Sequence, residues 1–357
     1  MHKYLFAKKI IFTFFILAFL AILVYVIYRP NNLEIETTLI NPIQIQSYGD
    51  CVYFLDTEEP ARKIKKYENG KIYEAIPWLP KTFFKPEQYI LGFAVIDENK
   101  LIILTRKYPE QPVQSIDDLP LITEHSFYLI DGNRKKTVHI TSMTGTDGPS
   151  NYGQGQTFFD LDKDNNIYLP LHNKILKITP KGENVVLTSI DKLPPGILDT
   201  LLPSIDKDKI SFRRIAVGPN NFFTLLSDGT YDSVIVEMDQ EGNFIKSHDL
   251  NYAKSDSQFE TSGNLLKLLK FYDGVIFIEN YYELYKYDLK TKSLEKIFDE
   301  PLGDIHKWDV VDLAPTDDGY LLLVTDSDTG NCVYVWKLSD DNTLQMDYLS
   351  TSNSHEK

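Results

Sequence analysis

The chain has 357 residues, a formal net charge of −14 and only two cysteines, Cys51 and Cys332. A nucleic-acid-binding protein needs a basic face to displace the counterions of phosphates, so the acidic balance argues against a nucleic-acid partner. The absence of any Cys-x-x-Cys pair excludes a thioredoxin-like motif or a zinc site built from such pairs. The 22 tyrosines and 20 phenylalanines favour β-strands, because aromatic side chains fit a half-buried pleated surface.

The first predicted element is an apolar helix at residues 10–28, which read IIFTFFILAFLAILVYVIY. Such a helix is ~28 Å long, close to the hydrocarbon thickness of a bilayer. Three lysines lie in the predicted cytoplasmic tail at 1–9 and only Arg29 closely follows the run, so the positive-inside bias places the rest of the chain outside the cytoplasm. These features predict a single-pass cell-membrane protein with an uncleaved signal-anchor. A cleaved signal peptide and a buried core helix are the alternatives.

After a predicted linker at 29–38, a tight polar turn followed by an apolar strand recurs six times. The repeats are GDCVYFLD at 49–56, ENKLIILT at 98–105, NNIYLPL at 165–171, PNNFFTLL at 219–226, DGVIFIE at 273–279 and DDGYLLLV at 317–324. Asn, Asp and Gly tolerate the positive φ of tight hairpin turns. A second hairpin with alternating apolar and polar residues follows each repeat, so each unit is expected to hold four strands.

Four-stranded units at this period are typical of propeller blades. We therefore predict an all-β fold, a six-bladed β-propeller of four-stranded antiparallel blades at 39–350, with a disordered tail at 351–357. The predicted blades are at about 39–77, 88–141, 155–190, 210–250, 264–298 and 308–349. The alternative is a pair of β-sandwich domains, which would need a linker. No stretch near the middle has the composition of one.

The pattern resembles the six-bladed propeller superfamily that includes NHL-repeat proteins, regucalcin-like lactonases and strictosidine-synthase-like proteins. The segment FFDLDKDNNIYLPLHNKILKITPKGE at 158–183 carries the resemblance most clearly, with an apolar strand, an Asp/Asn-rich turn and an apolar hairpin that ends in a Gly turn. The resemblance implies the fold. It does not imply an activity, because propellers host many functions.

The long connections of the predicted propeller all belong to one face. They lie at 78–87, 106–125, 142–154, 191–209, 251–263 and 299–307, either between blades or between the second and third strands of a blade. Loops on a rigid scaffold are where binding residues concentrate, although they can also serve only to cover blade edges. In the Gly- and Ser-rich stretch at 142–156, Asp147 and Tyr152 are candidate ligand-binding residues.

The first strand of each blade lines the central channel and carries the other candidates. Arg213 and Arg214 start this strand in the fourth blade, and Trp308 and Asp309 start it in the sixth. Charges on an inner strand must be paired or hydrated. One interpretation is charge pairing across a water-filled channel, and the other is a polar ligand held at the channel mouth by Arg213, Arg214 and Asp309.

The sequence predicts no catalytic residue, metal or cofactor. No His pair stands at ligand spacing, and neither a Gly-x-Ser-x-Gly elbow nor a phosphate-binding loop is present. The run from Asp160 to Asn165 resembles the start of an EF-hand loop but lacks its Gly and Glu, so we interpret it as a hairpin turn. Cys51 and Cys332 are expected at opposite faces, too far apart for a disulfide, so both are predicted to be free thiols.

The function that follows is a binding scaffold outside the cytoplasm, anchored to the membrane through residues 10–28. Its partner is expected to be an envelope protein, a peptide or a glycan, bound at the long-loop face. A metal-dependent lactonase- or esterase-like hydrolase on the same fold is the main alternative. An envelope sensor that signals through its helix is a second, although the cytoplasmic tail at 1–9 is too short for a signalling domain.

Overall fold

A computed structural model describes the structure of the chain from Thr37 to Leu349, with gaps. The described residues are 37–58, 61–79, 88–107, 123–145, 159–194, 196, 198, 209–227, 233–248, 266–280, 283–298, 308–326, 333–341 and 343–349. Two compact units divide the chain, Met1–Ile35 and Glu36–Lys357, of which the first lies outside the described residues. The predicted transmembrane helix at 10–28 lies in that first unit and stays a prediction. In the part that is described, no helix has the length and apolar character that crossing a membrane requires.

Twenty-four strands in chain order form the described fold, with one 3-10 helix at Ile190–Lys192. The first three blades contain β1 (Pro42–Tyr48), β2 (Cys51–Glu58), β3 (Ala61–Glu68), β4 (Lys71–Glu74), β5 (Gln88–Asp97), β6 (Lys100–Lys107), β7 (Thr123–Asp131), β8 (Lys136–Gly145), β9 (Asp160–Leu161), β10 (Ile167–Pro170), β11 (Lys174–Ile178) and β12 (Asn184–Ser189). The last three contain β13 (Ser211–Val217), β14 (Asn221–Ser227), β15 (Ser233–Asp239), β16 (Phe244–His248), β17 (Leu266–Tyr272), β18 (Val275–Asn280), β19 (Glu283–Asp288), β20 (Ser293–Phe298), β21 (Trp308–Thr316), β22 (Gly319–Asp326), β23 (Val333–Ser339) and β24 (Leu344–Leu349).

These strands form six four-stranded sheets, each made of four consecutive antiparallel strands. The first strands of the blades contact one another, as β1 does with β21 and β5, so they surround the axis. This confirms the predicted six-bladed propeller and its blade boundaries to within a few residues. The two-residue β9 is the shortest strand, and the residues just before it, at 146–158, lie outside the description.

Local turn chemistry explains why the hairpins form where the sequence predicts them. Asn69 and Gly70, between β3 and β4, both have positive φ, at 51° and 79°. Asp273 and Gly274, between β17 and β18, have φ of 49° and 86°. Two consecutive residues with positive φ define the type I′ turn, whose twist matches that of the two strands it joins.

The core consists of six apolar clusters, one in each wedge between neighbouring blades. Tyr53 and Phe93 belong to the cluster between blades 1 and 2, and Phe127 and Phe159 belong to the next one. The cluster that closes the ring joins blade 6, through Leu323 and other residues, to blade 1. No two neighbouring blades share a sheet, so side-chain contacts join every blade to the next. The junction between blades 6 and 1, which we call the seam, also lacks a chain connection.

The strand bounds also fix the two faces of the disc. Connections between the first and second strands, and between the third and fourth, contain two to five residues. Connections between successive blades contain nine to twenty-one, and that between β6 and β7 contains fifteen. Because the strands are antiparallel, all the long connections leave strand ends on one face, here called the long-loop face. The opposite face is called the short-turn face.

Candidate functional site

The predicted binding residues divide into those whose surroundings are described and those whose surroundings are not. Arg213 and Arg214 lie on β13 and are both largely buried. Trp308 and Asp309 begin β21, but their side chains lie outside the description. Asp147 and Tyr152 lie outside it altogether. The structure therefore brings the two arginines to the axis, and the assignment of all six residues to ligand binding stays a prediction.

A β-bulge recurs at the same place on the first strand of five blades. The irregular pairs are Pro42/Gln44, Ile90/Gly92, Phe212/Arg214, Leu266/Leu268 and Val310/Asp312. A bulge bends its strand and redirects the following side chain. The residue after the bulge is Gln44 in blade 1, Arg214 in blade 4 and Asp312 in blade 6, so polar side chains occupy structurally equivalent positions around the axis.

Gln44 and the nearby Gln46 bind backbone groups of the neighbouring blade. The first strand of each blade is an edge strand, whose outer row of backbone groups needs partners. Gln44 donates from Nε2 to the carbonyl of Phe93 at 2.8 Å and accepts from its N–H at 3.0 Å. Gln46 donates to the same carbonyl and accepts from the N–H of Val95 at 2.9 Å. Two amides of blade 1 thus satisfy the edge of blade 2.

Asp312 makes the corresponding contact across the seam. Its Oδ2 accepts the N–H of Ile45 on β1 at 3.0 Å, and its Oδ1 accepts the N–H of Leu313 at 2.9 Å. The ammonium of Lys270 on β17 lies 2.8 Å from Oδ1. One fully buried carboxylate therefore joins blades 5, 6 and 1. Burial raises the pKa of Asp312, and the ammonium of Lys270 opposes the shift.

Two further side chains repeat the pattern at other junctions. Asp160 accepts the N–H of Val217 in blade 4 at 2.8 Å. Tyr272 donates its hydroxyl to the carbonyl of Leu313 in blade 6 at 3.0 Å. Burial raises the pKa of both groups. Both side chains therefore bind backbone groups of a neighbouring blade.

The two arginines complete the electrostatics of the axis. Burial and the neighbouring charge of Arg213 together lower the pKa of Arg214 to about 9, although the Asp312 carboxylate opposes both effects. Arg214 donates from Nη1 to the carbonyl of Arg213 at 3.0 Å. The Arg214 guanidinium of blade 4 therefore interacts electrostatically with the Asp312 carboxylate of blade 6. Charges of both signs from different blades interact at the axis.

The Asp/Asn-rich turn before β10 forms as predicted. Asp162 accepts the N–H groups of Asp164 and Asn166 on Oδ1, both at 2.9 Å, and the Asn166 amide donates to Oδ2 at 2.8 Å. The Lys177 ammonium lies 3.4 Å from Oδ2. Both carboxylate oxygens therefore have partners within the turn and the adjacent hairpin. Among the described side chains, no group of three or more His, Cys, Asp or Glu residues converges as a metal site would require.

Cys51 is a free, buried thiol at the start of β2. Its Sγ donates to Glu68 Oε1 at 3.3 Å, and burial followed by this hydrogen bond raises the pKa of the thiol. A raised pKa suppresses the reactive thiolate, so this cysteine is chemically quiet. Cys332 precedes β23 and lies outside the description, so its free state stays a prediction.

Two buried histidine pairs were not found by sequence reasoning. His125 accepts from Arg106 Nε at its Nε2, 3.1 Å away, and burial followed by the Arg106 charge lowers its pKa to about 4. His248 lies 2.9 Å from Glu237 Oε2, and burial lowers its pKa although Glu237 opposes the shift. Each pair joins consecutive strands of one blade, at separations of 19 and 11 residues, and no local motif marks them.

Comparisons with known proteins do not identify a family for this chain. No protein-family model matches the sequence, and no curated protein is similar to it. Similar solved structures include an acylaminoacyl peptidase from Pyrococcus horikoshii (11% identity, 85% of this chain and 44% of that chain, TM-score 0.47). A protein from Lactobacillus plantarum (14%, 89% and 87%, 0.46) and the β-propeller domain of the Trilobed protease from Pyrococcus furiosus (9%, 87% and 98%, 0.44) are also similar.

These similarities are distant, and the chain spans less than half of the length of the Pyrococcus horikoshii peptidase. The fold assignment rests on the six sheets themselves.

Proposed function

We propose that this chain is a membrane-anchored scaffold whose propeller holds an envelope protein on its long-loop face. The observation that carries the proposal is the sorting of connections by length: every connection between blades leaves from one face, and every hairpin turn on the opposite face is short. A rigid scaffold with its longest loops on one side is the arrangement that binding proteins use.

The contacts at the axis support a surface site over a small-molecule site in the channel. Gln44, Gln46, Asp160 and Asp312 all accept backbone N–H groups of a neighbouring blade. A ligand that used these four side chains would break the contacts that join the blades. We therefore place the recognition surface on the long-loop face.

Site-specific photocrosslinking in the full-length protein tests the proposal. A photoreactive amino acid is introduced in living cells at exposed positions of the long-loop face, replacing Tyr89, Thr144 or His172. The matched controls replace Asn69, Lys181 or Lys290, which are exposed on the short-turn face. We expect one discrete protein adduct from the first set and none from the second. Adducts from the short-turn face alone would refute the proposed binding face.

The membrane anchor has its own test. Membranes that contain the full-length chain are washed with alkaline carbonate, and intact cells are treated with protease in a separate experiment. We expect the protein to stay in the membrane fraction and residues 39–350 to be accessible to the protease. Release into the supernatant, or protection of these residues in intact cells, would contradict the proposed anchor or its orientation.

A further inference from the structure

Residues 37–41 form a segment, here called the clasp, that crosses blade 1 at the seam. The N–H of Thr37 donates to the carbonyl of Ile72 on the outermost strand β4 at 2.9 Å. The clasp then leads into β1, the innermost strand. Leu39, at its centre, is fully buried in the apolar cluster of the seam, where Val333 and Val335 of blade 6 also lie. The clasp therefore contributes apolar surface to the seam.

A buried ion pair holds the clasp to blade 1. Asp56 on β2 accepts the N–H of Asn41 at 2.6 Å on Oδ1 and that of Ile40 at 3.0 Å on Oδ2. The ammonium of Lys65 on β3 lies 2.5 Å from Oδ2 and also donates to the carbonyl of Thr38. Both charged side chains are 0% exposed. Three of the five clasp residues are thus bound through backbone groups to one ion pair.

The contacts between the clasp and the Asp56–Lys65 pair depend on one another. A buried ion pair is stable only while both partners and their hydrogen bonds are in place. Removing the clasp takes two backbone donors from Asp56 and the Thr38 carbonyl from Lys65, and exposes the cluster around Leu39. In the engaged state, the side-chain oxygen of Asn41 is buried without a partner among the described residues, a burden that release removes.

We propose that the clasp is a releasable closure of the ring at the seam. The Thr37 hydrogen bond and the Asp56–Lys65 pair hold it against blade 1. Release of the clasp loosens the junction between blades 6 and 1, whereas the other five junctions keep their contacts. This inference rests on described contacts and is independent of the proposed binding partner.

Hydrogen exchange measured by mass spectrometry on the full-length protein in detergent tests whether the clasp holds the seam closed. The double variant Lys65→Met, Asp56→Asn removes both charges with little change in side-chain volume. We expect amides of β1 and of β21 to β23 to exchange about tenfold faster or more, with β13 to β18 unchanged, because local opening exposes only the strands of one region. The matched control Glu237→Gln disrupts the buried pair of blade 4 and should affect β14 to β16 alone.

A milder variant keeps the test valid if the double variant does not fold. Leu39→Ala retains the ion pair and removes only apolar contact, so it should accelerate exchange in the same strands by a smaller factor. Equal acceleration in all six blades, or full protection of the seam strands in both variants, would overturn the proposal. Neither result would bear on the crosslinking test of the long-loop face.

Discussion

The seam and the junction between blades 1 and 2 perform the same task with different chemistry. Between blades 1 and 2 the chain itself continues, and the edge of β5 is satisfied by the neutral amides of Gln44 and Gln46. At the seam the chain does not continue, and the edge of β1 is satisfied by the carboxylate of Asp312, which a lysine also contacts. A second buried ion pair holds the clasp at the same seam.

The difference indicates at which junction of a closed ring a buried ionic contact has the largest effect. A buried ion pair adds little net stability when it forms, but removal of one partner is costly because the other charge stays buried. Such a contact opposes partial opening more strongly than a neutral one. The seam is the junction that lacks a covalent connection, so it is the junction where this property has the greatest effect.

The largest expected effect comes from Asp312→Ala. The variant leaves the Lys270 ammonium largely buried and the N–H groups of Ile45 and Leu313 without their acceptor. We expect the free energy of unfolding, measured by urea titration, to fall by ~3–5 kcal/mol. Asp312→Asn, which keeps an acceptor oxygen, should lose less. If the unfolding free energy of Asp312→Ala fell by less than ~1 kcal/mol, the ionic contact at the seam would be no more important than the neutral contacts between blades 1 and 2.

Acidification is expected to weaken blade 2 and spare the seam. The pKa of His125 falls from 6.5 to about 4 on folding, so its neutral form is favoured, and stability present above pH 6.5 is lost as the pH falls towards 4. This lowering corresponds to about 3 kcal/mol. The raised pKa of Asp312 has the opposite sign, because a folded state that holds its proton more tightly is not destabilised by acid.

Urea titrations between pH 7 and pH 4 check this expectation. Wild type should lose stability over the interval, and His125→Gln should show a flatter dependence. Hydrogen exchange at pH 5 should rise first in β6 and β7. If the earliest exchange appeared in β1 and β21 instead, the seam would be the acid-sensitive junction.

A smaller effect is expected from Gln44→Leu at the neutral junction. The substitution removes the acceptor of the Phe93 N–H, while the Phe93 carbonyl keeps its hydrogen bond from Gln46. One buried donor without a partner costs ~1–3 kcal/mol in unfolding free energy. Gln46→Leu, at a less buried position, is the comparison. Should Gln44→Leu prove more damaging than Asp312→Ala, the ranking of the two junctions would be reversed.

The smallest effect is expected from an exposed ion pair. Lys337 and Asp318 lie 2.5 Å apart on the short-turn side of blade 6, and the Asp318 side chain is 67% exposed. Water screens such pairs, so Asp318→Ala should leave the urea unfolding transition almost unchanged. The same urea titration provides the value. A loss as large as that of Asp312→Ala would show that burial is not what separates these contacts.

The hairpins and blade boundaries were predictable because they depend on neighbours in sequence. Pairs such as Asn69-Gly70 and Asp273-Gly274 adopt the positive φ values that their residue types allow, and alternation over a few residues identifies the flanking strands. The resulting blade boundaries agree with the strands to within a few residues. The long connections follow from the same bounds, so their common face was also predictable.

The sequence by itself therefore determined that this chain forms six four-stranded blades with one face rich in long loops. Only the tertiary structure decided what the polar residues of the inner strands contact. Asp312 and Ile45 are 267 residues apart, and Gln44 and Phe93 are 49 apart. Their partners are backbone groups of another blade, reached through bulges that no local pattern marks. Turn formation is a property of a few adjacent residues, whereas these contacts exist only once the ring has closed.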